Sequence, residues 1–180
     1  MLKLFIASIN SDNRVKAYLF QQPNLATFFA NVLRANDEDA TVAACWAISK
    51  NPMTLEFAQA LIDSGFLSML CDLLDLEQKE DPKRYVYFLN IFMMIAQQVY
   101  NERYNKVSEI LINMISNKSP ISYYCIVSLA AISAYVETHT TILNKNIAAV
   151  LTRYTDSGDS LKYKQKIYDN LKKGGLLHNI

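Results

Sequence analysis

The chain has 180 residues, 51% of them apolar and 19% charged, with a formal net charge of +1. An apolar share of that size over that length can bury a substantial core, which excludes a disordered tail. Four glycines and four prolines supply too few tight turns for an all-β fold, so an all-α class is expected.

The predicted helices run, in chain order, over 2–10, 12–21, 24–35, 38–50, 53–63, 66–78, 82–98, 104–117, 120–136, 139–144, 146–155 and 160–173. The four prolines mark starts. Pro82 follows Asp81 and Pro120 follows Ser119, each a capping residue before a proline that needs no backbone N–H in the first turn. Asn51-Pro52 and Gln22-Pro23-Asn24 are weaker breaks of the same kind. Between them apolar residues recur at three and four, as in Leu67, Leu70 and Leu74.

Aligning the last helix of each group on an inward aliphatic gives Ile9, Ile48, Ile95, Ile132 and Leu171, spaced by 39, 47, 37 and 39 residues. A period near forty is that of armadillo and HEAT arrays. The repeats would be a partial one at 1–10, then 12–50, 52–98, 99–136 and 139–174, all in a single domain over 1–180. Since Met1 opens on what aligns as a final helix, the chain is expected to be a fragment of a longer protein in preference to one with a natural cap.

The segment Ala44–Ser49, ACWAIS, stands where armadillo repeats carry an ALWALS-like stretch, and Ile62–Leu74, IDSGFLSMLCDLL, matches their following glycine-containing segment. The chain therefore resembles the armadillo repeat family. The resemblance implies a right-handed α-solenoid of about three to four armadillo-like repeats, with HEAT-like pairs as the alternative. Gly65 favours armadillo, whose short first helix meets the second at a sharp turn that a residue without Cβ permits.

In that family the third helices line a concave face that holds peptides through a tryptophan and an asparagine four residues later. Trp46 takes the tryptophan position and Lys50 the asparagine position, with Met93 and Gln97, then Ala130 and Ala134, in the next repeats. The asparagine ladder of nuclear-import adaptors is missing, so the resemblance does not extend to import-signal binding. Helical spacing puts Asp39, Ala43, Trp46 and Lys50 on one stripe, beside Val86, Asn90, Met93 and Gln97 and then Tyr123, Val127, Ala130 and Ala134. The candidate partner-binding residues are Asp39, Trp46, Lys50, Asn90, Met93, Gln97 and Tyr123. The competing reading of Trp46 and Met93 is core packing, the commoner fate of large apolar residues at helical spacing.

No glycine-rich phosphate loop, HExxH or GxSxG occurs, and His139 and His178 fall in an expected loop and a frayed end, so no catalytic residues, metal site or cofactor are expected. Cys45, Cys71 and Cys125 lack any CxxC pair and sit among apolar residues, as buried reduced thiols do. Near-neutral charge argues against nucleic acid as the partner. No apolar run reaches the roughly 18 residues of a membrane span. Asp37, Glu38 and Asp39 read as helix-capping acids, and Lys162, Lys164, Lys166, Lys172 and Lys173 as the charged outer face of a terminal helix.

The resemblance thus implies a non-enzymatic scaffold or adaptor that binds an extended peptide or helix of another protein, without a small-molecule substrate. It further implies a eukaryotic, cytoplasmic or nuclear setting. The alternatives are a regulatory or dimerisation module of a larger enzyme such as a protein kinase, hence a homodimer, and a co-chaperone that exchanges nucleotide on Hsp70.

Overall fold

The computed structural model describes residues 13–22, 24–76, 82–154 and 159–175. Among these residues the structure is helical and contains no strand. The first predicted helix, 2–10, lies outside them. The chain divides into two compact units, residues 1–77 and 78–180.

In the first unit the helices are α1 (Asn13–Phe20), α2 (Asn24–Arg34), α3 (Glu38–Ser49), α4 (Leu55–Asp63) and α5 (Phe66–Leu76). Local chemistry sets their starts. Asp37 caps α3 by accepting from the Ala40 N–H at 2.9 Å, and Thr54 caps α4 by accepting from the Phe57 N–H at 3.2 Å, each satisfying an orphan donor of the first turn. Helix α2 packs against α3, α4 and α5. The core they share includes Phe29, Leu33, Ile48, Phe57, Leu61, Phe66 and Leu70. Phe20 closes one side of it, edge-on to Phe57 at a centroid distance of 5.0 Å.

Helices α4 and α5 are bent by 70° at the Ser64-Gly65 junction. Gly65 takes φ +80°, a left-handed conformation that costs a residue with Cβ about 1 kcal/mol or more. Arg34 secures the turn from α2, donating from Nη2 to the Ser64 carbonyl at 2.8 Å. This is the sharp first-to-second helix turn that Gly65 led the sequence to suggest.

The second unit holds α6 (Pro82–Ala96), α7 (Tyr104–Ser116), α8 (Ser122–Ile132), a short 3-10 turn (Val136–Thr138), α9 (His139–Asn144), α10 (Ile147–Arg153) and α11 (Asp159–Lys173). Helix α8 packs on α6, α7 and α11, and α7 packs on α9 and α10. With neighbours on several sides, α8 is buried continuously from Cys125 to Ile132, as a helix apolar all round must be. Hydrogen bonds between adjacent layers repeat the sequence period. Ser128 Oγ donates to the Leu89 carbonyl and Tyr135 Oη to the Ala96 carbonyl, each 39 residues away, and Asn170 Nδ2 donates to the Ala130 carbonyl 40 residues away.

Two expectations are corrected here. The helix foreseen over 120–136 spans only Ser122–Ile132, because Ser133 Oγ takes the Ala130 carbonyl and Tyr135 turns away to bond α6. His139, expected in a loop, begins α9, the helix foreseen over 139–144, and is buried, with Nε2 2.8 Å from the Ser133 carbonyl. Side-chain-to-backbone bonds compete with helix continuation at this point, and apolar periodicity does not register them. No single helix among the described residues is long and apolar enough to cross a membrane.

Candidate functional site

In the first unit, α3 places Asp39, Ala43, Trp46 and Lys50 along one line, and none of the four is buried. Asp39 stands exposed in the first turn, where its carboxylate favours the positive end of the helix. Trp46 is half-buried and Lys50 exposed at the helix end. Cys45, the neighbour of Trp46, is wholly buried on the opposite side, and burial pushes its thiol pKa up. The 3.6-residue period separates these two side chains: one packs inward and the other stays half-exposed.

In the second unit, α6 carries the corresponding line. Val86, Asn90 and Met93 are half-buried and Gln97 is exposed. Leu89, Phe92 and Ile95 take up the core-facing side of the same helix. Asn90 and Gln97 therefore offer amide donors and acceptors around the Met93 thioether, a flexible apolar contact.

The third line, on α8, is only partly open. Val127 and Ala130 are buried, while Tyr123 is half-buried and Ala134 exposed. Helix α11 covers the middle, with Asn170 Nδ2 bonded both to the Ala130 carbonyl and, at 3.0 Å, to Ser133 Oγ. Tyr123 remains usable at one end, edge-on to Tyr163 of α11 at 6.2 Å and to Tyr124 at 5.4 Å. Burial is the main cause holding the Tyr123 phenol above its ordinary pKa, with Tyr163 and Asp159 adding to it and Lys162 opposing. The Tyr123 phenol thus stays neutral and keeps its hydroxyl proton for donation.

Tyr163 and Lys162 were missed as members of this surface. Lys162 Nζ lies 4.8 Å from the centre of the Tyr163 ring, a cation–π distance. The repeat itself was the available signal, since Tyr163 follows Tyr123 by 40 residues, the same interval that joins Ala130 to Asn170.

Elsewhere, a cavity of about 530 Å³ opens in the first unit beside Phe20, Pro52 and Phe57, and one of about 360 Å³ in the second beside Ile115, Lys118 and Arg153. Neither is lined by the candidate residues. Among the described residues no group of three or more histidine, cysteine or acidic side chains is placed to hold a metal ion. Cys45, Cys71 and Cys125 are buried and in no disulfide, as expected.

No protein-family model matches the chain, and no curated protein does. Solved structures do match. A designed armadillo repeat protein in complex with the peptide (KR)4 is 17% identical at a TM-score of 0.65, over 97% of this chain and 88% of its own. A second designed armadillo repeat protein is 19% identical at 0.66, over 98% and 89%. An engineered protein is 18% identical at 0.70 over 86% of this chain, which spans 65% of its length. These likenesses carry the fold alone, and with the bent α4–α5 pair and the 39- to 40-residue register they establish it: the chain has an all-α, armadillo-like repeat fold of the α-solenoid class.

Proposed function

We propose that this chain is a non-catalytic interaction scaffold that holds an extended peptide or a helix of a partner protein on the open line of α3 in the first unit or on that of α6 in the second. The observation that carries the reading is that Trp46 and Met93, both large and apolar, are left half-buried on lines with no fully buried member. A core helix would hide them. An interface helix leaves them accessible, flanked by polar groups that fix a peptide backbone: Asp39 and Lys50 in one unit, Asn90 and Gln97 in the other. Tyr123 extends the second set. The designed armadillo neighbour in complex with a peptide supports the same use of the fold. In this reading the protein acts in the cytoplasm or nucleus on protein partners, with no small-molecule substrate.

The test is selection of peptides from a random display library against the full chain. Selected peptides should lose about 2 kcal/mol of binding with Trp46→Ala or with Met93→Ala, whichever line they occupy. Val136→Ala, a change at an exposed position that belongs to neither line, should leave them unaffected. Failure to enrich any peptide, or peptides indifferent to both substitutions, would overturn the proposal.

A further inference from the structure

The two units carry opposite charge. Residues 1–77 hold 5 Lys and Arg against 9 Asp and Glu, and residues 78–180 hold 13 against 8. In the second unit much of the excess cation lies on one helix, α11, where Lys162, Lys166, Lys172 and Lys173 are all exposed. Spacings of four and seven residues bring Lys162, Lys166 and Lys173 onto one side of α11, adjoining the line of Tyr163 and Asn170. Two acids share the helix. Asp169 accepts from Gln165 Nε2 at 2.8 Å, Asp159 sits in the first turn, and among the described residues neither forms an ion pair with these lysines.

Next to this basic line stand groups that a solvated charged face does not need. Tyr123 and Tyr163 present two rings edge to face, both half-buried and both keeping a hydroxyl. Aromatic rings with hydroxyls beside a row of cations are the ingredients of a surface that binds a partner with both apolar and acidic side chains. Near-neutral total charge conceals this, because the acidic first unit cancels it in the sum.

We infer that the face formed by α8 and α11 is a docking site for an acidic protein segment, whose apolar side chain seats on the Tyr123–Tyr163 pair while its carboxylates meet Lys162, Lys166 and Lys173. The inference rests on the scaffold reading and adds the chemistry of the partner. It also separates this chain from its designed neighbour in complex with (KR)4, since a lysine-arginine peptide would meet like charge on α11. A protein segment fits better than a nucleic acid, because the cations are confined to one helix and do not track a backbone-length groove.

The experiment uses the full chain and a fluorescein-labelled peptide of alternating glutamate and leucine, with a lysine-arginine peptide of equal length beside it. The glutamate–leucine peptide should bind, more weakly as salt rises, and the lysine-arginine peptide should not bind at α11. Lys162→Glu with Lys166→Glu should weaken binding about tenfold or more. Lys118→Glu with Arg153→Glu makes the same charge change at exposed positions away from this face, and should cost no more than about twofold. If a melting curve shows the first pair unfolded, Lys162→Gln with Lys166→Gln replaces it and should still reduce affinity. Equal loss in both pairs, no binding of the glutamate–leucine peptide, or its displacement by poly-uridine RNA or phosphatidylserine vesicles would overturn the inference. Library-selected peptides that bind through Trp46 or Met93 while the acidic peptide does not would leave the scaffold reading standing and remove only this one.

Discussion

Gly174 lies against the ring of His139: a Cβ at position 174 would come within 2.6 Å of Cε1 and closer still to Nδ1. The ring is buried and held by the contact of Nε2 with the Ser133 carbonyl, so it has little freedom to withdraw. Helix α11 thus stops on a glycine for steric reasons, whereas the adjoining Gly175, with φ +73°, is required by its backbone conformation. Gly174→Ala should destabilise by about 1–3 kcal/mol through overpacking. A urea-melt double-mutant cycle with His139→Ala should show coupling, because removing the ring removes the clash. Additive effects would contradict the contact.

Ser128 joins layers of the second unit through its bond to the Leu89 carbonyl at 2.9 Å. Ser128→Ala should cost about 1 kcal/mol, the net worth of one buried neutral bond, and no more, since a helical carbonyl has other donors. Equilibrium denaturation measures it. An unchanged midpoint would mean that packing of α8 alone sets the register.

Trp46 and Phe29 offer a contrast between a half-buried aromatic and one with no exposure. Phe29→Ala should cost about 3–5 kcal/mol by opening a cavity, and Trp46→Ala clearly less. Lys50→Glu should alter peptide affinity. If Trp46→Ala proves as destabilising as Phe29→Ala, the line on α3 is core and not a binding surface.

The Ser64-Gly65 turn should be sensitive from both sides. Gly65→Ala forces a Cβ into left-handed backbone, costing about 1 kcal/mol or more. Arg34→Ala removes the donor to the Ser64 carbonyl. A smaller loss for Arg34→Ala is expected, because the freed carbonyl is near the surface and can turn to water.

Alkaline pH should weaken the fold through the buried thiols. Burial raises Cys125 to about 12 and Cys45 further, from a value of 9.0 for each when free. Unfolded thiols therefore ionise while folded ones remain protonated, so stability is complete below about pH 9 and falls as pH rises from there through the folded values. Each such thiol should contribute a slope of about 1.4 kcal/mol per pH unit. Urea midpoints from pH 8 upward, compared with Cys45→Ala, give the check. Cys45 should also react slowly with a thiol reagent in the native state and quickly in urea.

Much of the helical order was legible in the residues. Asp37 announces a helix start because an N-cap acts within three residues, and Gly65 announces a turn because its backbone conformation is local. The lines through Trp46 and Met93 were legible too, since helical period alone assigns residues to a common side. What the period cannot say is which neighbour will cover that side. Ala130 and Val127 shared the expected line with Tyr123, yet α11 buries them and leaves Tyr123 at the edge. His139 became core, and Tyr163 and Lys162 joined Tyr123, only through contacts made across tens of residues. The sequence by itself determined the helices, their sharp turn and the repeat interval, all set by interactions within a few residues or by periodicity. Burial of each line, and with it the choice between core and surface, was decided by tertiary packing, because exposure belongs to a helix together with its neighbours and not to the helix alone.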